Sequence, residues 1–295
     1  MTDLSRASSA LAAGLSRRSF VSLLGGAVAV GLAGCGASDA SGGSASESST
    51  NPYDLQQAGV LRAGTLTDAP PNVYLKDGKF TGYDNELLLA VAAKLGLRVE
   101  FVGTEFSSLL AQVKTRKFDI GSSSISITEA RKKTVAFSNK YDFGFLGLNV
   151  PTGSAITSFD QLAGKRVAVV QGTVQDDYAT RTGLNPVRVP DYNAALNQLR
   201  SGTADAWVTP AEIGEKTAAD SNGKIAAVAK QLDPGGTAYA IAPDNPALLE
   251  AVNKGLDEVI ADGTWARLQK EFYPSRAIPA DFKPGSGNVA IGAAQ

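Results

Sequence analysis

Arg131 and the hydroxyl-rich stretch before it are the residues of this sequence best suited to holding an anion. The run is Asp119-Ile-Gly-Ser-Ser-Ser-Ile-Ser-Ile-Thr-Glu-Ala-Arg131, followed by Lys132 and Lys133. It reads as a buried strand end, a serine-rich turn and a helix start. Ser126 and Glu129 have the spacing of a capping box, with the serine as N-cap. Backbone N–H groups and hydroxyls at a helix start favour negative charge. Arg131, Lys132 and Lys133 instead place positive charge near that start, against the helix dipole. Glu129 offsets part of this, and an anionic guest held by Arg131 would offset more. An ordinary capped helix with solvated basic side chains fits the same residues, and local chemistry does not choose between the two.

The composition removes several chemistries. The chain has 295 residues, no histidine and a single cysteine, Cys35. A Ser-His-Asp triad and a disulfide framework are excluded, and transition-metal catalysis lacks its usual ligands. No cofactor is expected. Net charge is −1; setting aside residues 1–35 removes three basic residues and one acid, leaving −3. Nothing in this balance points to nucleic acid as a partner. The length suits two lobes, each with its own core.

Residues 1–35 read as an address. Ser16-Arg-Arg-Ser-Phe-Val21 resembles the twin-arginine export signal, with Ser22 where a lysine is common. An apolar run from Val21 to Gly34 suits a signal h-region and is short for a bilayer span. It ends in Leu32-Ala-Gly-Cys35, which resembles a bacterial lipobox, in which the cysteine becomes the N-terminus and its thiol carries the lipid. A small buried cysteine is the alternative. Residues 36–52 are mostly Gly, Ser and Ala and read as a flexible tether with a reach of roughly 20–25 Å. The expectation is a body held by a lipid anchor at Cys35 on the extracytoplasmic face of the cell membrane.

Within the body, strands and helices alternate. Gly59–Thr65 reads as a buried strand, and Leu87, Leu88, Val91, Ala92 and Leu95 form the apolar stripe of a helix stopped by Gly96. Arg98–Val102 is a strand, Leu109, Leu110 and Val113 mark a helix, and Phe118–Ile120 begins the next strand. A second series runs through Arg166–Val170, a helix after Gly172-Thr173, Val187–Val189, a helix at Ala194–Ser201 and Ala204–Val208. Such alternation points to α/β lobes with mostly parallel sheets. The two series echo each other: Leu110-Ala-Gln-Val-Lys114 and Leu196-Asn-Gln-Leu-Arg200 match at an offset of 86, as do Asp119 and Asp205. By this offset, Val208–Glu212 stands opposite Ser122–Ser126. Ligands of open α/β sheets sit beyond the carboxyl ends of the strands, so a cleft between lobes follows. Helices are expected at Leu248–Ile260 and around Trp265–Phe272, and a loosely ordered tail at 281–295.

The order and spacing of several motifs resemble one family, the polar amino-acid-type solute-binding proteins of ABC importers. They are Phe80-Thr-Gly-Tyr-Asp-Asn-Glu, Phe106-Ser-Ser-Leu-Leu-Ala-Gln-Val113, Ser126-Ile-Thr-Glu-Ala-Arg-Lys-Lys133, Phe137-Ser138 and Gly172-Thr173. The resemblance spans about Gly59 to Tyr273. It implies a periplasmic-binding-protein-like fold of type II, with two Rossmann-like lobes joined by two crossing strands. Lobe 1 is expected at 53–149 plus 240–280 and lobe 2 at 153–237, with crossings near 147–154 and 236–242. It further implies a monomer that encloses a small ligand by hinge closure and presents it to an ABC permease, without catalysis. Arg131 would pair bidentately with a ligand carboxylate, and Ser124 and Ser126 would contact the head group. Gly172 and Thr173 would close on the same carboxylate, and Phe106 and Leu109 would form an apolar wall. Plain core packing for Phe106 and Leu109, and a simple N-cap for Thr173, are the competing readings. The sequence departs from the family at Pro210, where α-amino-acid binders usually carry an aspartate for the ligand ammonium. Glu212 is the nearest substitute, and Asp68 the nearest acid of the first loop. A ligand without an α-ammonium, such as an organic acid, and a dehydratase-like enzyme on the same fold are the alternatives.

Overall fold

The computed structural model describes residues 51–287. Cys35, the export signal and most of the tether lie outside the described residues. The chain lays down β1 (Val60–Thr65), β2 (Asp68–Ala69), β3 (Val73–Lys76), β4 (Lys79–Thr81), α1 (Tyr83–Lys94), β5 (Arg98–Gly103) and α2 (Phe106–Lys114). Next come β6 (Ile120–Ser126), α3 (Glu129–Lys132), β7 (Ala136–Phe137) and β8 (Asp142–Pro151). A second series gives β9 (Arg166–Val170), α4 (Val174–Arg181), β10 (Asn185–Val189), α5 (Tyr192–Arg200), β11 (Ala206–Pro210) and α6 (Ala211–Asp220). It ends with β12 (Ile225–Ile241), α7 (Pro246–Ala261) and α8 (Thr264–Phe272).

Among the described residues, the main sheet runs β10-β9-β11-β8-β12-β6-β1-β5, with β7 beside β12; β2, β3 and β4 form a small separate sheet. β1 pairs in parallel with β5 and β6, and β9 in parallel with β10 and β11. The long strands β8 and β12 run antiparallel to each other and join the two parallel groups. This is the expected α/β class: two Rossmann-like lobes and a two-strand hinge. The apolar runs of β1 and β9 are buried on both faces because helices cover them. The stripe of α1 places Leu87, Leu88 and Val91 fully inside the lobe 1 core, where each such leucine contributes about 1.5–3 kcal/mol.

The internal echo has a physical counterpart. Asp119 accepts the Arg62 backbone N–H at 2.8 Å, and Asp205 accepts the Arg166 backbone N–H at 2.9 Å. Each aspartate thus ties the start of its lobe's first parallel strand to the strand beside it.

The crossings differ from the sequence expectation. Phe143 packs in the lobe 1 core, whereas Leu146, Leu148 and Val150 pack with Val167 and Val169 of lobe 2. β12 packs on lobe 2 through Ala229 and on lobe 1 from Tyr239. The chain therefore crosses between Phe143 and Leu146, and again within 230–238, earlier than 147–154 and 236–242. Both strands stay hydrogen-bonded through the crossing, so no turn residue marks it in the sequence. The tail also differs: its described part, to 287, is packed, with Phe282 5% exposed and its ring 5.0 Å from Phe143. An aromatic side chain without helical or strand periodicity gives no sign of burial until its partners are known.

Candidate functional site

A cavity opens between the lobes, at the carboxyl ends of the parallel strands and against both crossing strands. Its wall includes Phe106, Ser124, Ser126 and Arg131 from lobe 1, Thr173 and Glu212 from lobe 2, and Asp142 and Asp233 from β8 and β12. Two sequence expectations need correcting here. The serines of 122–126 form β6, a buried strand rather than a turn, and Ser126 still pairs with Thr237 across the sheet. The N-cap of α3 is consequently Thr128, which accepts the Arg131 backbone N–H at 3.2 Å. Two more residues are needed for the chain to leave the sheet.

Arg131 is 8% exposed. Its Nη1 donates to the Ser126 carbonyl at 2.9 Å and its Nη2 to the Gly172 carbonyl at 3.0 Å. The guanidinium lies 5.0 Å from the Phe106 ring. Among the described residues it forms no ion pair. Burial lowers its pKa, opposed by the charges of Asp177 and Asp233, but a guanidinium keeps its proton. Its described partners are thus two carbonyl dipoles and a ring face, with no opposite charge to offset its desolvation.

The other candidate residues divide. Gly172, at φ 77°, turns its carbonyl across the cleft to Arg131. Thr173 caps α4, accepting from the Asp176 N–H at 3.3 Å, and also lines the cavity. Ser124 donates to Asp84 at 2.5 Å and accepts from Asn72 Nδ2 at 2.9 Å. Phe106 lines the cavity, whereas Leu109 is fully buried in core packing. Asp68 is not part of this wall; its carboxylate accepts the Asn193 N–H at 2.8 Å and bridges the two lobes at the rim.

The family model for the bacterial extracellular solute-binding proteins, family 3, matches residues 61–275. The chain belongs to this family. It is 30% identical over 227 residues to the lysine/arginine/ornithine-binding periplasmic protein of Escherichia coli, covering 72% of this chain and 87% of that one. It is 28% identical to a probable histidine-binding protein of Campylobacter jejuni, over 72% and 84% of the two chains. Among solved structures, an ancestral arginine-binding protein bound to glutamine superposes with a TM-score of 0.70 at 30% identity, covering 74% and 99%. An ancestral amino acid-binding protein described as a precursor of cyclohexadienyl dehydratase gives 0.68 at 32% identity, covering 73% and 96%.

One charged residue of the cavity wall lies just past the matched region. Arg276 enters the cavity from the tail, its guanidinium 3.8 Å from the Tyr273 ring centre and 4.4 Å from that of Phe143. Its Nη2 donates to both Asp142 oxygens at 2.7 and 2.9 Å, and its Nη1 donates to Glu212 at 3.1 Å. Glu212, the substitute acid for Pro210, is therefore present at the cavity but already holds a cation. Burial raises the Glu212 and Asp142 pKa values, and the Arg276 charge opposes this in both. Neither Arg276 nor Asp142 stood out in the sequence, where a lone arginine after Tyr-Pro-Ser has no periodicity to place it.

Behind the cavity wall, Asp84 is fully buried, and burial pushes its pKa up to about 7 against hydrogen bonds from Ser124 and Tyr141. With the folded value above the unfolded one, the folded state binds the extra proton between about pH 4 and 7, so this group's contribution to stability falls as pH rises through that window. Asp84→Asn is expected to narrow the difference in melting temperature between pH 5 and pH 8, as read by differential scanning calorimetry. An unchanged difference would assign the pH dependence to other carboxylates.

Proposed function

We propose that this solute-binding protein captures a small carboxylate-bearing solute, an amino acid or a related acid, between its lobes and hands it to an ABC importer. The observation that carries this reading is Arg131: buried, cationic, without an ion pair among the described residues, and facing the cavity with hydrogen-bond donors to spare. A planar guanidinium matches a carboxylate through parallel hydrogen bonds. The hydroxyls of Ser124 and Ser126, the Thr173 helix start and the Phe106 ring surround the same space. The relatives support the amino-acid class and the transport role, one being an ABC transporter arginine-binding protein of Escherichia coli. The crossing strands supply the hinge. The contacts Arg131–Gly172 and Asp68–Asn193 join the lobes, as in a cleft shut by domain closure.

The reading includes no catalysis. Of the acids considered for an enzymatic role, Asp68 is spent on a backbone N–H and Glu212 on Arg276. It also includes a monomer tethered by a lipid at Cys35 on the extracytoplasmic face of the membrane. Cys35→Ser is expected to abolish metabolic labelling by palmitate and to release the protein from the membrane fraction; retained label would refute the anchor. The ligand reading is tested by a thermal-shift screen of amino acids, amines and organic acids on the purified chain. A ligand of the folded state raises the melting temperature by mass action. Hits confined to amines without a carboxylate would overturn it.

A further inference from the structure

The charged residues lining the cavity are Arg131, Arg276, Asp142, Glu212 and Asp233. Arg276 holds Asp142 and Glu212 together. That leaves one cation and one anion, Arg131 and Asp233, in no ion pair among the described residues. Both are fixed by one residue: the Ser126 carbonyl accepts from Arg131 at 2.9 Å, and the Ser126 hydroxyl donates to Asp233 at 2.6 Å. Asp233 is near enough for its charge to act on Arg131 through space.

The backbone is built to bring Asp233 there. Its other oxygen accepts the Gly235 N–H at 3.1 Å, closing a local turn. The ladder between β8 and β12 loses register between Asp233 and Thr237. Gly236 adopts φ 69°, and a Cβ on Gly235 would collide with the Ile127 carbonyl oxygen. Only a residue without a side chain lets β12 press so closely on the segment after Ser126. The bulge thus returns an acid to the cavity on the hinge strand, whereas the lobe 2 strand ends in Pro210 and has none.

We propose that Asp233 receives the α-ammonium of the ligand while Arg131 receives its α-carboxylate, so that the site takes a zwitterionic α-amino acid and Glu212 takes no part in ammonium recognition. This rests on the carboxylate reading of Arg131 given above. With such a ligand every charged side chain on the wall has an opposite charge beside it: Arg276 with Asp142 and Glu212, Arg131 with the carboxylate, Asp233 with the ammonium. A carboxylate without an ammonium would leave Asp233 held by the Ser126 hydroxyl and the Gly235 N–H but with no opposite charge.

The test compares L-α-amino acids with the 2-hydroxy acids bearing the same side chains, by calorimetric titration of the purified chain and its variants. The wild type is expected to prefer the amino acid. Asp233→Asn keeps an acceptor for the Gly235 N–H and turns its NH2 toward the Ser126 hydroxyl, which can accept as well as donate; it is expected to weaken the amino acid about 100-fold and the hydroxy acid less than about 3-fold, erasing the preference. Asp233→Glu, which keeps the charge, is expected to restore part of it, and Glu212→Gln to leave it intact. A preference that survives Asp233→Asn, or a wild type that favours the hydroxy acid, overturns the assignment while leaving the carboxylate reading standing. Binding of either class that survives Arg131→Ala overturns the carboxylate reading itself, and a wild type that binds neither class overturns both.

Discussion

Arg276→Gln is expected to cost about 3–5 kcal/mol of stability near pH 8, because it leaves two buried carboxylates without their shared cation. Asp142 and Glu212 are 6% and 8% exposed at the side chain, and Arg276 is 10% exposed. Burial alone raises both acids; the guanidinium holds them down. Without it their folded pKa values rise further, while the unfolded values stay in the usual carboxylate range. The folded state then binds protons that the unfolded state releases, so stability falls as pH rises across that gap. At pH 5 more of the variant's folded molecules carry these acids protonated than at pH 8, and the loss shrinks. Urea unfolding of both proteins at pH 5 and pH 8 measures this. An equal loss at both pH values would instead trace the cost to the lost stacking of Arg276 between Tyr273 and Phe143.

Arg131→Ala is expected to abolish the ligand-induced rise in melting temperature and to weaken carboxylate ligands by two or more orders of magnitude, about the cost of removing one partner from a buried charge pair. Arg131→Lys is expected to recover only part of the affinity, since an ammonium cannot reproduce the paired geometry of a guanidinium. Without ligand, the alanine variant is expected to melt no lower than the wild type. Burying an unpaired cation is unfavourable, and its hydrogen bonds to the Ser126 and Gly172 carbonyls only partly offset this. A binding residue that costs stability until it is filled is the usual trade between function and folding. A variant that melts well below the wild type and still responds to ligand would make Arg131 a structural residue.

The lobes were legible because their signals are local and periodic. The stripe Leu87–Val91 and the run Arg166–Val170 state their own burial, and the 86-residue echo finds the two aspartates, Asp119 and Asp205, that perform the same task in each lobe. Arg131, Ser124, Ser126, Phe106 and Thr173, which line the cavity, are singled out by a helix-start pattern and a family resemblance, although the cap itself is Thr128. The remainder depends on contacts far apart in sequence. Asp233 reaches the cavity through a bulge, Arg276 through a tail with no repeat, and Leu109 and Phe106 share one helix yet face different surroundings. Nothing in the spacing of residues 273–287 announces that this segment closes over a lobe core.

The rim bridge from Asp68 to the Asn193 N–H would have a kinetic consequence for the proposed closure. It joins β2 of the first lobe to α5 of the second, outside the wall of the cavity. Asp233 and Asp142, in contrast, sit on the bending strands themselves, close to the pivot. A rotation that separates the rim by a long arc moves groups at the pivot very little. On the proposed closure a solute would meet a nearly finished set of charges before the cleft shuts, and its arrival would be insensitive to the rim. Its departure would not be: the door would first have to give up Asp68–Asn193 and Arg131–Gly172. On the closure proposed above, the rim contacts would set residence time and the charges at the pivot would set what the cleft accepts.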